Sequence, residues 1–198
     1  MAIIVDKDKK RKNIAIACTE LLLEKGIKNL RVSEIAKTAG IGKATVYDYF
    51  ENKEAVVFEI IRNLIKEHQK DLISRSDEKT SCKQKVLYLF DFYLCEYKDY
   101  KKHLEMYKEY ISVTLAMDTD AMSVFNYECT EFLKKILTDI INEGIRKGEI
   151  ISRAKQLITG IMATERGFML TNWTENRNLK SDFKTYINAL FDLIETKK

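Results

Sequence analysis

Between Lys43 and Phe50 the chain reads KATVYDYF, a cluster dense in groups that contact phosphate and base edges. Thr45 and Tyr47 supply neutral hydroxyl donors for phosphate oxygens, and Lys43 supplies a charge for phosphate or for guanine. Ala44 and Asp48 share the same outer face. Asp48 could accept from cytosine N4 but repels phosphate. Just upstream stand Arg31, Ser33, Lys37 and Thr38, four more side chains suited to a polyanion. Downstream, Lys53 opens a helix whose positive dipole end favours an anion.

Such a surface needs elements that hold it still. Ser33 is expected to cap a helix whose inner face is Ile35, Ala36 and Ala39. In AGIG, Gly40 and Gly42 permit a tight reversal. Lys43 to Phe50 is about two turns of helix, wedged by Val46 and anchored by Tyr49 or Phe50. Asn52 caps the next helix, whose apolar face runs Val56, Val57, Ile60, Ile61, Leu64, Ile65. Two short helices joined by a Gly-containing turn are a helix-turn-helix, whose second helix enters the major groove of double-stranded DNA. Before it, Ile14, Ala17, Cys18, Leu21 and Leu22 mark a first helix that Gly26 stops, preceded by a basic arm from Lys7 to Lys12. The arm is expected to reach a groove or the DNA backbone, or to stay disordered without DNA.

Charge agrees with this placement. Residues 1–50 hold ten Lys/Arg against six Asp/Glu, while the other 148 residues hold 24 of each sign. The excess of +4 therefore sits on the candidate head. With no proline, seven glycines and no strand alternation, the chain is expected to be all-α, with about nine helices. The later ones span roughly Asn52 to Ile73, Cys82 to Tyr100, Lys102 to Met117, a long helix ending at Gly148, Ala154 to Asn172 and Ser181 to Glu195. No apolar run approaches the ~18 residues of a membrane span, and the N-terminus does not read as a signal peptide, so a cytoplasmic protein is expected.

The stretch LRVSEIAKTAGIGKATVYDYFENKEAVV resembles the N-terminal signature of the TetR family of transcriptional repressors. The matching elements are SEIA, AG, the aromatics Tyr47, Tyr49 and Phe50, and NKEA; together they lie within residues 10–60. Gly42, where the family often has Ser, and Asp48 depart from the usual pattern, so the operator does not follow from relatives. The resemblance implies a DNA-binding domain over 1–52 and a ligand-binding and dimerisation domain over 53–198. It implies a homodimeric repressor released from a palindromic operator by a small molecule. The alternative is a helical carrier or enzyme on the same scaffold without DNA binding. No Ser/His/Asp set, metal cluster or strand-linked Gly-rich loop supports a catalyst, and no cofactor is expected.

Tyr88, Phe92, Tyr93, Tyr97, Tyr100, Tyr107, Tyr110, Phe125 and Tyr127 exceed what a bundle requires and suit an aromatic pocket. Its expected wall is Ile61, Leu64, Ile65, Phe92, Phe125 and Tyr93 or Tyr127, facing an apolar or aromatic ligand. Gly160, Ala163, Thr164 and Gly167 form a small-residue stripe that allows close helix approach. Beyond it, Phe183, Tyr186, Ile187, Leu190, Phe191 and Ile194 present a wide apolar face. The expected dimer interface takes the stripe together with Tyr186, Leu190 and Phe191. Cys18, Cys82, Cys95 and Cys129, widely spaced with no CxxC pair, are expected to be reduced, buried thiols, with a redox sensor as the alternative, and His68 and His103 to be isolated histidines.

Overall fold

The computed structural model describes residues 2–94, 98–116 and 120–196, with side chains over 7–94, 103–116 and 120–196. These residues form α1 (Ala2–Ala17), α2 (Thr19–Asn29), α3 (Val32–Thr38), α4 (Lys43–Tyr49), α5 (Lys53–Ser74), α6 (Cys82–Leu89), α7 (Asp91–Leu94), α8 (Lys98–Ala116), α9 (Asp120–Arg146), a 3-10 segment (Ser152–Leu157), α10 (Ile158–Thr174) and α11 (Lys180–Ile194). The fold is all-α, and its one extended pairing among the described residues is a bridge between Ile150 and Glu195. Among the described residues, no helix is long and apolar enough to cross a membrane.

Among the described residues, eleven α-helices replace the expected nine because two expected helices break. The first breaks at Cys18, with φ −92° and ψ 0°. The helix expected over Cys82–Tyr100 breaks at Phe90, with φ −99° and ψ 10°. Phe90 is buried edge-on against Phe183, so tertiary packing overrides the local pattern there. Cys95, Tyr97 and Tyr100 lie outside the described side chains. The basic arm is a correction of another kind. Lys7 to Lys12 fall inside α1 rather than in an irregular tail. Arg11 fixes this helix in place: its guanidinium lies 4.6 Å from the Phe50 ring centroid, pairs with Glu59 at 3.5 Å and donates to the Tyr49 carbonyl.

The chain divides into two compact units. The first contains residues 1–67 and 102–125. Its core includes Ile14, Leu22, Ile35, Val46, Phe50, Val57, Ile60, Tyr110 and Phe125. Phe58 stacks on Phe125 at 4.4 Å, and Tyr110 meets Phe125 edge-on at 5.8 Å. Gly26 has φ +75°, so α2 kinks there rather than running straight. The break is held from two sides. Glu109 accepts from the Ile27 N–H at 2.6 Å, and the Lys53 ammonium donates to the Ile27 and Lys28 carbonyls at 3.2 and 3.0 Å.

The second unit contains residues 68–101 and 126–198. Its core gathers Phe90, Tyr93, Leu137, Ile141, Ile161, Phe183, Ile187 and Phe191. Lys85, nearly buried, pairs with Glu143 at 2.8 Å, and Glu143 also takes Lys147 at 2.7 Å. These two lysines hold the Glu143 carboxyl below its usual range. Cys82 tucks against Gly144, its thiol donating to the Ile140 carbonyl at 3.6 Å.

Candidate nucleic-acid interface

The turn between α3 and α4 closes by local hydrogen bonding. Gly40 adopts φ +66°, its N–H donates to Lys37 O at 3.2 Å, and the Ile41 N–H reaches back to Ala36 O at 3.0 Å. This is a Schellman closure, which needs a residue tolerant of positive φ at the position Gly40 occupies. Gly42 is then the N-cap of α4, extended at φ −68° and ψ 150°, and its carbonyl accepts from Val46 N. Ile35, Ala36 and Val46 are buried between the two helices, and Phe50 is buried just past α4. Phe50, not half-buried Tyr49, is therefore the anchor.

Burying Val46 and Phe50 turns the opposite side of α4 outward. Lys43, Ala44 and Asp48 are exposed, Tyr47 is 52% exposed and Thr45 is half-buried. Arg31, Ser33, Lys37 and Thr38 are exposed as well. Ser33 is not a cap: Arg31 occupies that position, extended at φ −119° and ψ 143°, and its carbonyl accepts from Glu34 and Ile35. Ser33 is instead the second residue of α3, and its hydroxyl remains on the surface. Asn52 does cap α5, its side chain accepting from Ala55 N at 2.8 Å. Lys53 is half-buried, and its ammonium is occupied by the carbonyls at the end of α2.

The expected effector wall is distributed over both units. In the first, Ile61 and Phe125 are buried and Leu64 and Ile65 half-buried, and the Arg62 guanidinium lies 4.9 Å from the Phe125 ring centroid. In the second, Phe92 meets His68 edge-on at 5.6 Å, and Tyr93 is fully buried against Phe183 at 5.8 Å. Tyr127 is 68% exposed, so it lines no interior wall of this chain. Two residues of helix carry it about 200° round from buried Phe125, a signal present in the sequence.

Of the expected dimer residues, Gly160, Ala163 and Gly167 are exposed, and Thr164, Tyr186 and Leu190 are half-buried. A Cβ built at Gly160 or Gly167 would meet nothing within 4 Å. Phe191 is a correction: it is fully buried in its own chain with Phe183 and Ile187, which leaves none of its ring to a partner. Leu170 and Leu193 are exposed, the latter 80%, and sequence reading missed both. Leu193 follows Tyr186 and Leu190 at helical spacing, which was the available signal.

No group of His, Cys, Asp and Glu among the described residues could hold a metal ion. Burial pushes the Cys18 thiol up to about 11, and burial with nearby Glu149 and Glu143 pushes Cys82 to about 12. Both are inert thiols at neutral pH. His68 sits 2.7 Å from the Leu89 carbonyl, and its burial lowers its pKa.

Comparison with known proteins agrees with this geometry. Residues 17–60 match the model of bacterial regulatory proteins of the tetR family. Over 205 aligned positions the chain is 28% identical to the fatty acid metabolism regulator protein of Bacillus subtilis, covering 95% of this chain and 96% of that one. A TetR transcription regulator from Haloarcula marismortui has the same fold, with a TM-score of 0.74 and 17% identity over 95% of this chain and 99% of its own. A regulator of the family from Cytophaga hutchinsonii gives 0.71 at 21% identity, covering 98% of each chain.

Proposed function

From the premise that this chain belongs to the TetR family of DNA-binding transcriptional regulators, we propose that it is a homodimeric repressor released from a palindromic operator by a small apolar ligand. One observation carries the reading. Burial of Val46 and Phe50 leaves the opposite face of α4, with Lys43, Tyr47 and Asp48, open to the major groove, inside the segment that matches the family. A carrier or enzyme would have no use for that face.

In this reading, residues 1–52 read DNA in the cytoplasm, and residues 53–198 bind the effector and the second subunit. Tyr47, Thr45, Ser33, Thr38, Lys37 and Arg31 position the head through phosphates, and Lys43 with Ala44 and Asp48 faces the base edges. Lys53 contributes by holding the end of α2 to the start of α5. Two heads one helical turn apart, ~34 Å, read a pseudo-palindrome. The partner packs on the open side of α10 and α11, where Gly160, Ala163, Gly167, Leu170 and Leu193 are exposed. The near full-length similarity to a fatty acid metabolism regulator supports genes of fatty acid metabolism as targets, and an effector with a long apolar chain. Ligand contact along α5 would tilt a helix whose first turn is tied to the head, and so change the spacing of the two heads.

The test is recovery of the sequences that the protein retains from fragmented genomic DNA of its source. A pseudo-palindrome with half-sites about 10 bp apart is expected. Retention without sequence enrichment would sink the reading.

A further inference from the structure

We propose that Tyr93 and Glu165, both in the second unit, form a recognition site for the hydrogen-bond-accepting head group, a carbonyl or ester, of an apolar-chain effector; this deepens the regulator reading and rests on it.

The fold itself has no use for these two polar groups. Glu165 lies on the buried side of α10 with Ile161, Met162 and Met169, and is 3% exposed. Tyr93, on α7, is fully buried. The Glu165 Oε1 and the Tyr93 hydroxyl are both sealed from solvent and have no hydrogen-bond partner among the described residues. Native interiors rarely leave such groups unpaired, and Glu165 is near enough to Tyr93 for its charge to act on the phenol, so two unpaired groups within electrostatic reach point to a missing partner. The surroundings are apolar. Tyr93 meets the Phe183 ring edge-on at 5.8 Å, and Phe183 in turn meets Phe90 at 5.3 Å and Phe168 at 5.5 Å.

The electrostatics select the kind of head group. Burial pushes the Glu165 carboxyl up to about 8, opposed by the charge of Arg166, an exposed neighbour on α10 that donates to Thr130. Burial, then Glu165, then Asp182 from α11, push the Tyr93 phenol up to about 12. At neutral pH both groups therefore keep their protons, and each donates one O–H. Two donors in an aromatic setting fit an oxygen acceptor on a chain that is otherwise apolar. A ligand cation would demand the ionised carboxylate and would expel its proton.

The experiment uses full-length protein and four probes with the same tail: methyl dodecanoate, dodecanoic acid, dodecyltrimethylammonium and dodecane. Affinities are measured by calorimetry in two buffers of different ionisation enthalpy, alongside operator binding. The ester should bind wild type best, without proton release. Tyr93→Phe and Glu165→Met should each weaken it about tenfold, the size of one lost hydrogen bond. Glu165→Gln, still a neutral donor, should stay within about threefold of wild type. Glu165→Met should also raise the unfolding temperature, because it removes an unpaired buried acid. Equal ester affinity in all variants, no probe bound by wild type, tightest binding of the cation with proton release, or a lowered unfolding temperature in Glu165→Met would each overturn the site. Operator binding separates the two levels: retained, only this site fails; absent in wild type, the regulator reading fails.

Discussion

Tyr47 and Phe50 are three residues apart, yet one is 52% exposed and the other buried. That contrast divides labour on α4: Phe50 holds the helix, and Tyr47 is available to DNA. Tyr47→Phe or Thr45→Ala should weaken binding to every sequence alike, since phosphate contacts position without specifying. Lys43→Ala should also relax base preference, by about 1–3 kcal/mol at one position if it reads guanine. Selection on a randomised site library measures both, and unchanged affinity in the Tyr47 and Thr45 variants would remove α4 from the interface. At the same scale, Glu165 ties stability to pH. Its carboxyl is raised to about 8, well above the ordinary 4.5, so between these values the folded chain keeps a proton that the unfolded chain has released. Its contribution is therefore full below the ordinary value and is lost as pH rises toward the raised one, by at most about 1.4 kcal/mol per pH unit. Urea unfolding at pH ~5 and ~8 should show this decline in wild type and a flatter profile in Glu165→Gln.

Between elements, two glycines mark close approaches. At the kink in α2, Gly26 combines positive φ with a position where a Cβ would overlap the Glu109 carboxylate from α8. Gly26→Ala should cost about 1–3 kcal/mol from backbone strain, and more if Glu109 is displaced from the Ile27 N–H. Glu109→Gln should keep that hydrogen bond, whereas Glu109→Ala should lose about 1–3 kcal/mol by leaving the N–H unpaired. Denaturation midpoints rank the three; equal stability of the Gln and Ala variants would show that the bond does not hold the kink. At the α6–α9 crossing, a Cβ on Gly144 would lie 2.7 Å from the Cys82 Cβ and Sγ. Overpacking by Gly144→Ala should cost about 1–3 kcal/mol in the same assay, and a neutral result would mean that α6 shifts freely.

For the whole molecule, assembly and switching make the strongest demands. In the proposed dimer, Leu in place of Ala163 or Gly167, both exposed, would hold the partner helix away from α10, and Leu190→Glu would bring a charge into the proposed interface. Each should give monomers by light scattering and lose specific DNA binding, because one head reads too few base pairs. Because Gly167 has open space around it in the single chain, Gly167→Leu should still fold, which separates loss of assembly from loss of structure. Intact dimers in all three variants would place the interface elsewhere. The proposed switch is reciprocal: operator DNA should weaken effector binding by the same factor that effector weakens operator binding, typically 5–150-fold. Titrating a fatty acid with and without operator measures this, and equal affinities would exclude that ligand as an inducer.

What could be read from the sequence was local. Gly40 and Gly42 at the turn, Asn52 as a cap, and the burial of Ile35, Ala36 and Val46 all follow from hydrogen bonds and periodicity within a few residues. The helix-turn-helix and the face it presents were legible for that reason, and so was the small-residue side of α10. The breaks at Cys18 and Phe90, the role of Arg11 under the recognition helix, the burial of Phe191 and the exposure of Leu193 were not deduced. Some of that signal existed in helical phase, as with Tyr127. The rest depends on which side chain meets which across long separations: Arg11 with Glu59 and Phe50, Phe90 with Phe183, Glu109 with Ile27. A buried acid such as Glu165 reads in sequence as one more helix carboxylate. Only tertiary packing removes its water and leaves its Oε1 without a partner among the described residues, because burial is a property of the neighbours that close over a residue and not of the residue itself.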